Sequence, residues 1–289
     1  LLLAIAAIST GAPFVKWAEP APPLAIAGLR AGIAALLLAA VGHRELAALR
    51  RLSRRDVAFI AAAGVLLAAH FGTWIASLRY TSTAASVTLV CTNPMFAALL
   101  GGVLGDSVRR REWLGIAIAV VGCGVLAGGD WQPGSSAVLG DGLALVGAAA
   151  AAGYLAVGRG LRASVPLLPY LACLNAIAAA LLLGATALTG ATPADVPSHA
   201  YLACAGGALI ASLVGHGLLN AAVRTTPTHL VALAVLGEPI GSSLITWAVR
   251  GEQPSIHAVI GGAIVLVGIG AGFAPAATPP RAGSAAPAP

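Results

Sequence analysis

Apolar residues run along this chain in ten long stretches separated by short polar breaks, at 1–17, 23–41, 57–78, 83–104, 112–128, 139–158, 166–188, 200–219, 228–248 and 256–273. A helix needs about 20 residues to cross the roughly 30 Å hydrocarbon layer of a bilayer, so each stretch has the length of a transmembrane helix. None shows the strict apolar–polar alternation of a membrane barrel strand. Leu1–Ile8 lacks the basic flank and small-residue cleavage site of a signal peptide and reads as part of the first span. The end of the chain, 274–289, is an Ala/Pro/Gly/Ser run with little to bury and is expected to be a disordered tail.

Composition strengthens this reading. Of 289 residues 58% are hydrophobic and 9% charged, against about 25% charged in soluble domains, too few to build a wet surface. The 36 glycines would weaken helices in water but allow close helix packing in lipid. A net charge of +6 raises the question of nucleic acid, but the charges lie in short blocks between apolar runs, and no phosphate loop or zinc-ligand spacing is present. Cys91, Cys123, Cys173 and Cys204 fall inside apolar runs at wide separations and read as small buried hydrophobes. With the N-terminus inside, Arg44, Arg50, Arg51, Arg54, Arg55, Arg109, Arg110, Arg111, Arg159, Arg162, Arg224 and Arg281 face the cytoplasm, against Lys16, Arg79 and Arg250 outside. Twelve against three is a strong positive-inside bias. It implies a multi-pass protein of the inner (plasma) membrane with both termini cytoplasmic, and anionic-lipid contacts for the 50–55 cluster.

The chain also repeats itself. An offset of 145 pairs Leu29–Arg30–Ala31 with Leu174–Asn175–Ala176, Arg79 with Arg224, Thr83 with Thr228, and Asn93–Pro94 with Glu238–Pro239. One further residue then aligns Gly105–Asp106 with Gly251–Glu252, Gly115 with Gly261 and Gly122 with Gly268. The polar pairs carry this inference, because low-complexity apolar sequence matches itself by chance. Five spans per unit is odd, so the second unit must cross in the opposite sense. The expected fold is an all-α integral membrane protein with ten transmembrane helices in two inverted-topology five-helix repeats, 1–128 and 139–273. These residues bring a family into view. Pro94, His216–Gly–Leu–Leu–Asn220, Leu236–Gly–Glu238–Pro239–Ile240, the Gly251–Glu252 turn and the closing Gly261–Gly262…Gly268 helix together resemble the EamA family of the drug/metabolite transporter superfamily. The resemblance implies helices 1–4 and 6–9 around a central cavity, 5 and 10 at the periphery, and export of amino acids or other small metabolites.

Few polar residues fall within spans. Glu238 is the acidic residue well inside one, near mid-depth, where an ionised carboxylate costs about 3 kcal/mol on insertion scales. It is either a neutral packing acid or a group that alternates between an apolar environment and a cationic partner, and so couples two fluxes. Pro94 and Pro239 leave the Val90 and Val235 carbonyls without helical partners and mark candidate hinges beside Asn93 and Glu238. Arg30, paired with Asn175, either snorkels to the outer interface or reaches into the cavity to hold a carboxylate or phosphate. His70 with Trp74, and His216 with Asn220, share helical faces at i,i+4. Tyr154, Trp17 and Thr73 are further lining candidates, Trp17 equally an interfacial anchor. His43, His199 and His257 lie near span ends and need no special role.

The function expected is secondary active transport by alternating access, probed by Glu238, Asn93, Arg30, Asn175, His70, Trp74, His216, Asn220 and Tyr154. The cargo would be a small polar, zwitterionic metabolite such as an amino acid, exported by antiport with protons. An organic-phosphate or nucleotide-sugar carrier is the alternative within the class, although Arg30 and Arg79 are the cations on offer where several are usual. A non-transporting scaffold or sensor is the alternative outside it. The scattered His and lone Glu do not make an enzyme, a metal site or a cofactor site. Expected partners are the substrate, protons and membrane lipids, not nucleic acid, with a homo-oligomer neither required nor excluded.

Overall fold

The computed structural model describes residues 1–81, 83–103, 107–127, 135–161, 164–192, 195–251 and 253–274. The turn positions Gly105, Asp106 and Glu252, Arg162, and the tail from 275 onward lie outside the described residues. Helices are α1 Leu2–Ile8, α2 Gly11–Trp17, α3 Pro23–Val41, α4 Arg54–Ser77, α5 Thr83–Val90, α6 Asn93–Val103, α7 Arg110–Ala127 and α8 Ser135–Gly160. They continue as α9 Leu167–Leu188, α10 Ser198–Gly207, α11 Gly217–Ala222, α12 Thr228–Val235, α13 Glu238–Arg250 and α14 Ile256–Phe273. A 3₁₀ stretch, His43–Arg51, precedes α4, and a π-helical stretch, Ala208–His216, joins α10 to α11.

Among the described residues, each of the ten apolar stretches is mostly helical. Among the described residues seven helical runs are long and apolar enough to cross a membrane, and Leu2–Trp17 and Thr88–Gly101 are shorter apolar runs. The helix starts follow from local chemistry. Pro22, Pro166, Pro197 and Pro227 cap α3, α9, α10 and α12, where a missing amide hydrogen costs nothing. Ser53 and Asp56 form a reciprocal capping box on α4, and Gly251 closes α13 at φ 71°, a conformation open to glycine.

Four stretches depart from uninterrupted α-helix, two of them at the proline positions that the sequence marks as candidate hinges. The first breaks at Ser9–Thr10, whose hydroxyls turn back to Ile5 O at 2.8 Å and Ala7 O at 2.7 Å and compete with the helical ladder. The fourth breaks at Cys91–Thr92 and the ninth at Leu236–Gly237, just ahead of Pro94 and Pro239, which cannot donate to the preceding turn. The eighth widens into nine residues of π-helix, a geometry that tends to occur at functional positions.

Alanines are prominent in the interior, beside larger buried side chains such as Phe71, Tyr154 and Leu38, and many other large apolar residues face outward. Ala4, Ala27, Ala31, Ala34, Ala63 and Ala208 are fully buried, whereas Leu36, Leu99, Val121 and Leu266 are exposed. That pattern suits lipid, where close backbone packing rather than water exclusion holds helices together. The main packing pairs are α7 with α14, α3 with α9, α4 with α8 and with α9, α6 with α8 and with α12, and α1 with the π stretch; α3 also packs on the π stretch. The α7–α14 seam is built of glycine. A Cβ at Gly115 would lie 2.7 Å from Gly268 O, and one at Gly122 would lie 2.9 Å from Gly261 O.

Candidate substrate cavity

The breaks in the helices converge on the interior. Ser9 Oγ lies 3.2 Å from Glu238 O as well as near its own helix, and Ser242 Oγ donates to Ser9 O at 2.8 Å. The break in the first helix is thereby pinned to the break that carries Glu238. Gly241 makes this approach available, since any Cβ there would collide with Ser9 Oγ. Gly241→Ala should therefore lower thermal stability in detergent by about 1–3 kcal/mol, the usual range for overpacking, with unfolding followed by intrinsic tryptophan fluorescence.

A cavity of about 60 Å³ lies beside this junction, and its walls include Arg30, His70, Trp74, Asn93, Tyr154, His216, Glu238 and Pro239. That volume holds a small cluster of waters. Val90 and Val235, the last residues before the two proline breaks, face it as well. Arg30 does not snorkel. It is 3% exposed, donates from Nε to Ser212 Oγ at 3.0 Å, and lays its guanidinium 4.3 Å over the Phe71 ring centroid. A desolvated cation over an aromatic face gains about 2 kcal/mol, which offsets part of the burial. His70 Nδ1 donates to Gly147 O at 2.9 Å, and the ring stacks on Trp74 at 6° between planes. Tyr154 Oη meets His216 Nδ1 at 2.9 Å.

Three buried polar atoms on these walls have no hydrogen-bond partner: Arg30 Nη1, Trp74 Nε1 and Asn93 Oδ1. Buried polar groups are nearly always bonded, so two donors and an acceptor ready for a guest are a notable set. The carboxyl group of Glu238 stands with them. Chemically the cavity offers a cation and an indole donor, an acid and an amide acceptor, and the aromatic faces of Phe71 and Trp74.

Not every sequence candidate lies there. Asn175 and Asn220 line a separate, smaller cavity of about 10 Å³, and each turns its amide nitrogen back to its own helix, onto Leu171 O and His216 O. The paired positions 30 and 175 thus end in different places. Arg79 donates to Ala21 O at 3.1 Å and does not line the cavity. Thr73 bonds back to Ala69 O, and Trp17 is half exposed. Pro94 is buried at the head of α6 without lining the cavity. Sequence reasoning passed over Phe71 and Ser212. Ser212 could have been found by extending the i,i+4 face of His216 and Asn220 by one step. It also passed over a buried pair, His229 Nε2 to Glu112 Oε2 at 3.2 Å, which joins α12 to α7 away from the cavity. Among the described residues no group of three or more His, Cys, Asp or Glu is placed to hold a metal ion.

A bundle of broken and unbroken apolar helices around a largely apolar cavity with a few charged and polar groups on its walls suits a multi-pass membrane transporter. The model of the EamA-like transporter family matches residues 1–128 and again 138–271. The chain belongs to that family, within the drug/metabolite transporter superfamily, and is a multi-pass membrane protein acting on a small-molecule substrate. A solved structure described only as a crystal structure of a protein is similar over 94% of this chain and 94% of that one, with a TM-score of 0.80 and 20% identity. At that identity the likeness speaks for the fold alone. No curated protein matches.

Proposed function

We propose that the protein is a secondary active exporter of small zwitterionic metabolites such as amino acids, working by alternating access and antiport with protons. The observation that carries this reading is one cavity with an unpartnered Arg30 Nη1 and the Glu238 carboxyl group on its walls. A substrate carboxylate would satisfy the guanidinium and the Trp74 indole, while its ammonium would face Glu238 and Asn93 Oδ1. Charge-assisted bonds of this kind are about twice as strong as neutral ones. Loss of the substrate ammonium would leave Glu238 to take up a proton, and that exchange is the coupling.

Alternating access calls for two halves that can rock about a shared site. The reading of ten crossings in two inverted repeats, 1–128 and 139–273, is supported by the packing. Pairs α3–α9 and α7–α14 each join a helix to its counterpart, α6–α12 joins the fourth apolar stretch to the matching ninth, and α4–α8 exchanges with α1–π stretch. The glycine seam agrees: exchanging Gly115 with Gly261 and Gly122 with Gly268 turns one close approach into the other. Residence in the plasma membrane with cytoplasmic termini rests on the arginine bias. A phosphate carrier is disfavoured, because Arg30 is the one Arg or Lys on the described cavity walls.

The test is a counterflow screen in proteoliposomes with amino acids, drugs and sugar phosphates, each run with and without a pH gradient. Accumulation of amino acids driven by the gradient is expected; sugar phosphates alone accumulating would overturn the assignment. Arg30→Lys should raise KM for the accumulated amino acid about tenfold or more, because a single ammonium cannot bond Ser212 and present a second fixed donor to a carboxylate. Initial-rate measurements on the same vesicles check it.

A further inference from the structure

Ser212, His216, Asn220 and Arg224 recur every four residues from the cavity to the arginine-bearing end of the bundle, and each takes part in a polar contact. Ser212 Oγ receives Arg30 Nε, His216 meets Tyr154 Oη, and Arg224 Nη2 donates to Val165 O at 2.8 Å. The 10 Å³ cavity lies along this line, walled by Ser212, His216 and Asn220 together with Asn175 and Tyr154. That is the space one water occupies, and the walls carry the several polar partners a buried water needs.

Beyond it, two more buried atoms lack partners. Asn220 Oδ1 and Tyr170 Oη belong to residues that are 2% and 1% exposed. Both approach the same spot on α8, since a Cβ at Gly158 would lie 3.2 Å from the first and 2.9 Å from the second. In an apolar bundle an unsatisfied amide oxygen and phenol beside one point of a helix call for a shared guest. An acceptor and a hydroxyl are what a water molecule bonds to.

We propose that this stripe is a hydrated proton relay linking the central cavity to the cytoplasmic face, with one water in the 10 Å³ cavity and another held by Asn220 and Tyr170. A proton released at Glu238 passes to the cavity water, then through the Tyr154–His216 pair and the two waters to the Arg224 end. Each O–H or N–H broken is matched by one formed at the next oxygen or nitrogen, and rotation of the waters and the Tyr154 hydroxyl with return of the His216 tautomer resets the chain for the next proton. The groups that act on it electrostatically are Arg30 at Glu238, Arg30 and His70 at His216, and Tyr154 and Arg224 at Tyr170. The relay rests on the proton-coupling reading above.

The two are separated by infrared spectroscopy on the full chain in lipid vesicles without added substrate. A carboxylic acid band that titrates in the wild type and is missing in Glu238→Gln reports the coupling acid. Its hydrogen–deuterium exchange after mixing with heavy water reports access. Tyr170→Phe, which removes one oxygen, and Gly158→Ala, which crowds both, should each slow exchange at least tenfold without moving the band. Unchanged exchange in Tyr170→Phe overturns the relay and leaves the coupling acid standing, even where Gly158→Ala fails to fold. Absence of a titrating Glu238 band overturns both.

Discussion

Glu238→Gln should reduce flux driven by a pH gradient by about tenfold or more while the protein still inserts and folds, since the amide keeps the shape and hydrogen-bonding reach of the acid but cannot exchange a proton. The side chain makes no hydrogen bond to another described residue, and its position is set through the backbone by Ser9. Removing its charge therefore does not strand a buried partner bonded to it. The measurement is uptake into proteoliposomes with and without the gradient, beside gel filtration and thermal unfolding of the purified variant. Undiminished gradient-driven flux in the variant would end the role of Glu238 in coupling. Exchange of substrate without a gradient is expected to survive better than net transport, because exchange requires binding but no net proton movement.

The second large effect concerns the seam between α7 and α14. Gly122→Leu should remove most folded protein, because the first added carbon would already lie 2.6 Å from Val265 N and 2.9 Å from Gly261 O. Backbone atoms cannot step aside as a side-chain end can. Overpacking costs about 1–3 kcal/mol where a core can relax and more where it cannot. The matched control is Gly124→Leu on the same helix, whose Cβ would meet nothing within 4 Å and whose thermal midpoint should be nearly unchanged. Equal midpoints for the two variants, by fluorescence-detected gel filtration after heating, would show that this contact does not hold the bundle. The seam lies at the edge expected to be peripheral, so its loss acts through assembly of the two halves rather than through the cavity walls.

The four departures from regular α-helix have one theme. At Ser9–Thr10, Cys91–Thr92, Leu236–Gly237 and the Ala208–His216 stretch, the chain abandons regular α-helix where it approaches the cavity or carries a residue that lines it. Regular helices satisfy their own backbone and have nothing to offer a polar guest; broken ones leave carbonyls and bring polar side chains inward. The prolines at 94 and 239 announced two of these sites. Ser9–Thr10 and the π stretch left no such mark, because serine, threonine and glycine are common in any membrane helix.

Apolar length, the arginine distribution and the matched polar pairs were enough to read a helical membrane protein, its expected orientation and the residues worth watching, since the bilayer imposes length and satisfaction of the backbone on any chain that crosses it. Most of the chosen side chains do line one cavity. What linear order left undecided was direction and distance. Arg30 could equally have reached for the outer interface, and its place over Phe71 beside Ser212 depends on a contact across 182 positions of chain. Asn175 occupies the matching position yet lines a different cavity. Helix rotation and depth are set by which small residues let neighbouring backbones close in, and that is a property of the packed bundle.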